Sequence, residues 1–526
     1  MKHMYSCIQK RNERENTMTG AQITMLAAMA AYLFLMVGIG IKLSEKNETM
    51  GDFYLGGRQL GPLVTAMSAE ASDMSSYLLM GLPGLAYLSG TADVGWTVIG
   101  LAAGTYLNWL IVAKRLRRYT ERTGSITLPE FFSNRWGDQR NVLTLIAAIW
   151  IIVFFVPYTA SGFAACGKLF RSLFGMDYHA AMIISAIVII FYTAMGGFLA
   201  ASTTDFIQSI VMTLALAAIL VFGFTQAGGV AAVLDNARSF PGYLSLRQTY
   251  DPVTGQALPY TLLTICSTLA WGLGYFGMPH ILLRFMAIED DSKLKLSRRV
   301  ASVWVVISMA VAVLIGMVGL AMSRGELIPV LEGSASETVI VQISNLLSSH
   351  GIAAALLAGV VLSGILASTM STADSQLLAA SSSVSNDILV KFFHIKIEKS
   401  KALLLSRLSL IAIAVIGIVL AWDPDSSVFG IVSFAWAGFG ASFGPVVLLA
   451  LFWKRSNKYG AVAGMLTGGI MVFVWKFAIR PQGGICGIYE LLPAFAAAIL
   501  VNIAVSLLTP APETSITDCY DEVSSM

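Results

Sequence analysis

The chain has 526 residues, 56% of them hydrophobic and only 12% charged, with a mean hydropathy of +0.73. Soluble domains carry about 25% charged residues, so this is the composition of an integral membrane protein. A net charge of +3 without a basic stripe interleaved with aromatics argues against a nucleic-acid partner, and the scattered Cys7, Cys166, Cys266, Cys486 and Cys519 give neither a zinc spacing nor a disulfide framework.

Residues 1–19 are polar and basic and lack the apolar core of a signal peptide. Apolar stretches of spanning length follow near 20–42, 61–89, 92–112, 141–171, 179–197, 204–225, 259–285, 300–323, 352–384, 402–421, 428–453, 457–478 and 487–509. The expected fold is therefore an all-α integral membrane protein with thirteen transmembrane helices in one domain over 20–509. The stretch 337–349 is too short and polar to span and reads as a surface helix in a loop. No Walker A pattern is present, and no nucleotide-binding domain fits between the helices.

Loop charge sets orientation. Lys and Arg gather in the loops 113–140, 286–299 and 385–401 and between the eleventh and twelfth stretches, while the alternate loops near 90, 424 and 483 are almost free of them. The basic face is expected to be cytoplasmic, with the N-terminus outside and the C-terminus inside. Lys2, Lys10, Arg11 and Arg14 break the rule, which leads to the expectation that translation begins at Met18. The acidic tail 510–526 is expected to be cytoplasmic and disordered.

One apolar stretch has a polar centre. Ser68, Glu70, Ser72, Asp73, Ser75 and Ser76 fall within nine residues. A charge at mid-membrane costs ~2.5–3.5 kcal/mol even on the lenient insertion scale, so Glu70 and Asp73 are expected to face a wet or protein-lined cavity. Gly81, Pro83 and Gly84 weaken the helix further along, and irregular backbone at this depth needs a protein or water cover. An interrupted polar helix is the feature expected where a transporter binds solute and ion; the alternative is a polar helix–helix contact.

In the ninth stretch, Ser368, Ser371, Thr372 and Ser375 recur at i, i+3, i+4, i+7 and share a face, with Asp374 at its edge. Hydroxyls and carboxylates are hard ligands suited to a cation such as Na⁺. The alternative is a set of hydroxyls bonded back to carbonyls one turn earlier. In the seventh stretch Trp271, Tyr275 and Pro279 share a face, and Gly272, Gly274 and Gly277 permit unwinding. Such an aromatic face suits a small amphipathic solute, or is ordinary packing. Interruptions in the second and seventh stretches predict an inverted repeat over about 61–225 and 259–453.

The motifs LGGR (55–58), ASDMS (71–75), LLMGLPG (78–84), TLPEFF (127–132), MGGFLAASTTDFIQ (195–208), WGLGYFGMPHILLRFM (271–286), MSTADSQLL (370–378) and FAWAGFGASFGPVVL (434–448) together resemble the solute:sodium symporter family, its bacterial proline symporters in particular. The resemblance implies a fold like that of the bacterial leucine transporter, a 5+5 core with one helix before it and two after. It implies a Na⁺ site of the carbonyls of Ala71, Met74 and Ser368 and the hydroxyls of Ser371 and Thr372, with Asp73 required for Na⁺ dependence. It further implies a possible second cation site at Asp205, Asp374 and Ser375, a solute site at Tyr158, Trp271, Tyr275 and Pro279 with Ser75 nearby, and a coupling role for Arg58. Ser76, Met278 and Glu70 depart from the family pattern (Gly, Gln and a small residue), which bears on the solute more than on the fold.

The sequence reading is thus a Na⁺-coupled importer of L-proline or a close analogue in the bacterial cytoplasmic membrane, with no covalent chemistry, no cofactor beyond the coupling ion and no obligate protein partner. The alternatives are a symporter for another amino acid or compatible solute, coupling to H⁺, and a receptor that binds solute without transporting it. Glu70 has three readings: a hydrogen-bonded structural acid, a ligand for the solute amine or a cation, or a carrier of a coupled proton. A role that depends on its charge or protonation is the expectation.

Overall fold

The computed structural model describes residues 18–525; the proposed start at Met18 turns on residues 1–17, which lie outside them. The helices run α1 (Gly20–Ser44), α2 (Met50–Leu55), α3 (Pro62–Ser76), α4 (Leu82–Ser89), α5 (Thr91–Leu107), α6 (Ala113–Arg122), α7 (Leu128–Trp136), α8 (Val142–Phe174), α9 (Tyr178–Gln226) and α10 (Gly229–Arg238). After a hairpin of β1 (Gln248–Asp251) and β2 (Gln256–Pro259) come α11 (Leu262–Leu269), α12 (Pro279–Ala287), α13 (Leu294–Arg324), α14 (Val339–Ser348), α15 (Ile352–Ser382), α16 (Lys399–Leu420), α17 (Val428–Phe452), α18 (Lys458–Val474), α19 (Leu491–Leu508) and α20 (Thr514–Ser525).

Short polar side chains start many of these helices. Thr19, Thr127, Asp177, Ser427 and Asn457 each accept a first-turn N–H, satisfying donors that have no partner inside the helix. The long helices are apolar over most of their length. Exposed Phe34, Ile187, Leu214, Val303, Ile307 and Val419 give the outer surface a hydrocarbon character suited to lipid.

Ten helices among the described residues are long and apolar enough to cross a membrane. The expected stretches 179–197 and 204–225 form one run, α9, whose backbone breaks at Gly197 (φ 63°, ψ −162°). The expected stretches 61–89 and 259–285 are interrupted, as their Gly and Pro content suggested. The first is α3 and α4, divided at Ser75 (φ 48°, ψ −168°) and joined by a wide turn over Tyr77–Gly81. The second is α11 and α12, joined by a tight turn over Ala270–Phe276. Pro279 opens α12, where its missing N–H costs nothing.

Every residue of α3 from Thr65 to Ser76 is buried. The helix is enclosed by α9, α12, α13 and α15, so its polar side chains never meet lipid. The turn 270–276 lies against α5 at backbone distance. A Cβ on Gly104 would overlap the Gly272 carbonyl, and one on Gly272 would overlap the Gly100 carbonyl. This close approach lets Asn108 Nδ2 donate to the Tyr275 carbonyl at 2.9 Å, satisfying a carbonyl freed by unwinding.

Three local expectations change. The C-terminal tail is not disordered: α20 docks on the basic face, where Arg122 pairs with Glu522 at 3.0 Å, Lys454 pairs with Asp521, and the Arg135 guanidinium lies over Tyr520. Its acids find cations that sequence neighbours do not supply. Residues 337–349 do form a helix, α14, but Val339, Ile340, Ile343 and Leu347 are buried. The hairpin was unforeseen, although Asp-Pro-Val-Thr-Gly at 251–255 is a turn signal between short alternating runs.

Candidate cation and solute site

The break in α3 is set by its own side chain. Ser75 Oγ accepts the Tyr77 N–H at 3.1 Å, so Ser75 caps the second half of the helix. The break thus lies at Ser75, ahead of Gly81, Pro83 and Gly84. Met74 turns its carbonyl to the Tyr77 N–H as well.

Across from this segment stands the hydroxyl face of α15. Ser371 Oγ is 2.8 Å from the Ala71 carbonyl oxygen and 3.2 Å from that of Ser368. Thr372 Oγ1 is 3.1 Å from the same Ser368 carbonyl. The contacts to Ser368 are the back-bonds that any Ser or Thr forms in a helix. The contact to Ala71 is not, because it joins two distant segments. Four oxygen groups of the set that the family resemblance implies thus converge: the carbonyls of Ala71 and Ser368 and the hydroxyls of Ser371 and Thr372. All are hard donors suited to an alkali cation.

Asp73 points elsewhere. Its Oδ2 accepts from Tyr275 Oη at 2.5 Å, and its Oδ1 has no partner among the described residues. It lines a narrow cleft with Met74, Tyr77, Leu101, Tyr158, Trp271, Val432 and Trp436. Of the aromatic residues expected to bind solute, Tyr158 and Trp271 line this cleft. Tyr275 is buried behind it, holding Asp73, and Pro279 lies at the start of α12. Ser75, with Ser76, faces Tyr158 and Thr372 in an adjoining crevice.

The place expected for a second cation holds a guanidinium. Arg284 Nη2 donates to Asp205 Oδ2 at 3.0 Å and to Ser375 Oγ at 2.5 Å; Arg284 Nε donates to Ser68 Oγ at 3.0 Å, and Ser68 Oγ in turn donates to Asp205 Oδ2 at 2.7 Å. Asp374 accepts from Tyr192 Oη at 2.6 Å and from Ser375 Oγ at 3.0 Å. Sequence reading missed Arg284. The signal was present: a basic residue inside an apolar stretch demands a carboxylate partner, and Asp205 and Asp374 were acids without one.

Glu70 does not line the cleft. Its Oε1 accepts from Thr105 Oγ1 at 3.0 Å and from Trp109 Nε1 at 2.8 Å, and its Oε2 has no partner among the described residues. Arg58 lies on the basic face. It donates to the carbonyls of Met286 (2.5 Å), Thr120 (3.0 Å) and Ser125 (2.7 Å), tying the residues before α3 to the end of α12. Beside it Leu60 and Ile288 pair as a parallel bridge. Burial, and then the neighbouring Arg117, lower the Arg58 guanidinium to about 10, so it remains charged at neutral pH. The basic face is closed by these contacts. On the opposite face a cavity of about 630 Å³ descends as far as Trp271 and Phe429.

The chain is 43% identical over 489 residues to the high-affinity proline transporter PutP of Bacillus subtilis, covering 93% of this chain and 98% of the relative. It is 42% identical over 504 residues to the sodium/proline symporter of Haemophilus influenzae, covering 94% and 97%. Among solved structures, a Na⁺-coupled sialic acid symporter in a substrate-bound outward-open state shares the fold with a TM-score of 0.76 at 18% identity, covering 93% of this chain and 99% of that one. A nucleobase-cation-symport-1 family transporter in a closed conformation does so at a TM-score of 0.55 and 14% identity, covering 89% and 98%. Residues 53–468 match the model of the sodium:solute symporter family, and the chain belongs to that family.

Proposed function

We propose that this protein imports L-proline across the bacterial cytoplasmic membrane by symport with Na⁺. The observation that carries the cation site is the 2.8 Å contact between Ser371 Oγ and the Ala71 carbonyl. It brings oxygens of an interrupted helix and of α15 to one point. The choice of proline is supported by the names of relatives about 40% identical over more than nine-tenths of the chain.

In this reading Na⁺ is held by Ala71, Ser368, Ser371 and Thr372, with the Met74 carbonyl joining as the α3 break adjusts. Asp73 supplies negative charge to both the ion and the solute ammonium, since it lines the cleft and its Oδ1 has no partner among the described residues. Tyr158 and Trp271 wall the solute, Ser75 meets it from the crevice, and Tyr275 and Pro279 position the wall. Coupling is differential affinity: Na⁺ binding favours the state that accepts solute from outside. One charge crossing ~100 mV contributes ~2.3 kcal/mol and a tenfold gradient ~1.4 kcal/mol, enough for about a few hundred-fold accumulation. No covalent step is involved.

The thirteen spans follow when α3–α4 and α11–α12 each count as one interrupted span and α9 is divided at Gly197. The basic face, with α20, is then cytoplasmic and the N-terminus outside. Arg58, at the closed basic face, reports cation binding to the cytoplasmic gate. The unpartnered Glu70 Oε2 favours one further reading, a proton that accompanies or replaces Na⁺. Radiolabelled proline uptake into proteoliposomes, with Na⁺ and pH gradients imposed separately and with competing solutes, tests all of these. Uptake driven by the Na⁺ gradient alone is the expected result, and absence of proline uptake under either gradient overturns it.

A further inference from the structure

The outer cavity and the solute cleft are separated by one layer of aromatic side chains. Trp271 lines both spaces, with Phe429 and Tyr489 on the cavity side and Tyr77 on the cleft side. The cleft beneath holds only about 10 Å³, no more than the room one water molecule needs, so solute cannot reach Asp73 unless this layer opens.

Tyr489 comes from outside the inverted repeat. It lies in the connection between α18 and α19, and it is held at three points. Its ring stacks on Trp271 with centroids 5.0 Å apart and an interplanar angle of 16°. Its hydroxyl donates to the Ser433 carbonyl in α17 at 2.6 Å, and its N–H donates to Ser267 Oγ in α11 at 2.7 Å. The connection is braced as well. Arg480 Nη1 lies 2.7 Å from Glu490 Oε2, Lys476 Nζ lies 3.7 Å from Glu490 Oε1, and the Glu490 side chain is fully buried.

We propose that Tyr489 is the latch of the outer lid: it holds Trp271 across the path from the cavity to the solute cleft, and solute passes only when the Tyr489–Trp271 stack separates. The latch stands on the braced connection and on α17 and is tied to α11 by its N–H bond to Ser267, so movement of α11 and the Ala270–Phe276 turn away from those elements breaks that bond together with the stack and opens the layer. Tyr489 is a positioning residue acting through Trp271 and need not touch the bound solute. The inference rests on the proposed solute cleft, and its test separates the two.

The test is accessibility. With the five native cysteines replaced, Leu101→Cys places a thiol in the cleft. A membrane-impermeant methanethiosulfonate is added from the outer face of intact cells, and the labelling rate is measured with and without saturating proline. Loss of an aromatic pair is worth ~0.5–1.5 kcal/mol, so Tyr489→Ala is expected to raise the rate about two- to tenfold. Tyr489→Phe, which keeps the stack and loses the hydroxyl bond, and Arg480→Gln, which loosens the brace, are expected to give smaller increases. Where Tyr489→Ala does not reach the membrane, these two decide. Rates equal to that of the unaltered lid in all folded variants overturn the latch. Failure of proline to protect the thiol overturns the solute cleft, and leaves the latch to be judged on the rates alone.

Discussion

Ser371 Oγ lies 2.8 Å from the carbonyl oxygen of Ala71, a residue 300 positions earlier in the chain. A hydroxyl that only satisfied itself within α15 would stop at the Ser368 carbonyl. By reaching Ala71 it fixes the distance between the interrupted helix and α15, and any cation held there feels movement of either.

The first prediction concerns those oxygens. Ser371→Ala and Thr372→Ala each remove a hard donor where water is scarce, and both are expected to lower apparent Na⁺ affinity by tenfold or more, on the order of 1.4 kcal/mol. Asp73→Asn is expected to lower it too, by removing the nearby negative charge. The measurement is initial proline uptake against Na⁺ concentration. Unchanged Na⁺ dependence in all three variants would place the site elsewhere.

Trp271 and Tyr275 should separate in their effects. Trp271→Ala removes a wall of the cleft and is expected to raise the proline KM about tenfold. Tyr275→Phe keeps the ring and removes only the bond to Asp73 Oδ2. A hydrogen bond to a charged group is worth ~1.5–3 kcal/mol, and its loss is expected to weaken both Na⁺ and proline. Uptake titrations in each substrate distinguish these patterns, and a Tyr275→Phe protein with wild-type Na⁺ dependence would remove Asp73 from the coupling account.

Arg284 now occupies the ground where a second cation was expected. Removing one partner of a buried ion pair costs ~3–5 kcal/mol, so Arg284→Gln is expected to lower the thermal unfolding temperature in detergent sharply. With the guanidinium bonded to Asp205 and Ser375, the Hill coefficient for Na⁺ in the wild-type protein is expected to be about one. A coefficient near two, together with a stable Arg284→Gln protein, would restore the second cation at Asp374.

These residues also mark what could be read from sequence. The polar run in α3 was legible because acids inside an apolar stretch need a protein-lined cavity, and all of Thr65–Ser76 is buried. The position of the break was not. It is fixed by Ser75 Oγ accepting the Tyr77 N–H, one local bond among several that six neighbouring polar residues could have formed. The need of Arg284 for a carboxylate could be read, but which partners it takes could not, because Asp205 and Ser375 lie 79 and 91 residues away. Neither the docking of α20 nor the stacking of Tyr489 follows from any periodicity, since both depend on distant cations and rings that only the fold brings near.

Glu70 is the last case, and here the structure narrows the sequence reading. The carboxyl faces α5 and the segment after it, through Thr105 and Trp109, and not the cleft proposed for the solute. A direct bond to the solute amine therefore has no support, and the proline KM of Glu70→Gln is expected to stay near wild type. The amide keeps an oxygen to accept from Thr105 and Trp109, so the variant should fold. What it loses is the ability to gain or release a proton at the unpartnered Oε2, three residues from Asp73. The pH profile of Na⁺-driven uptake is therefore expected to change, most visibly at limiting Na⁺. Initial rates from about pH 5.5 to 8.5, a range in which perturbed carboxyls titrate, check this at saturating and limiting Na⁺. Profiles that superimpose for wild type, Glu70→Gln and Glu70→Gly would leave Glu70 as an acceptor that joins α3 to Thr105 and Trp109 and takes no part in coupling.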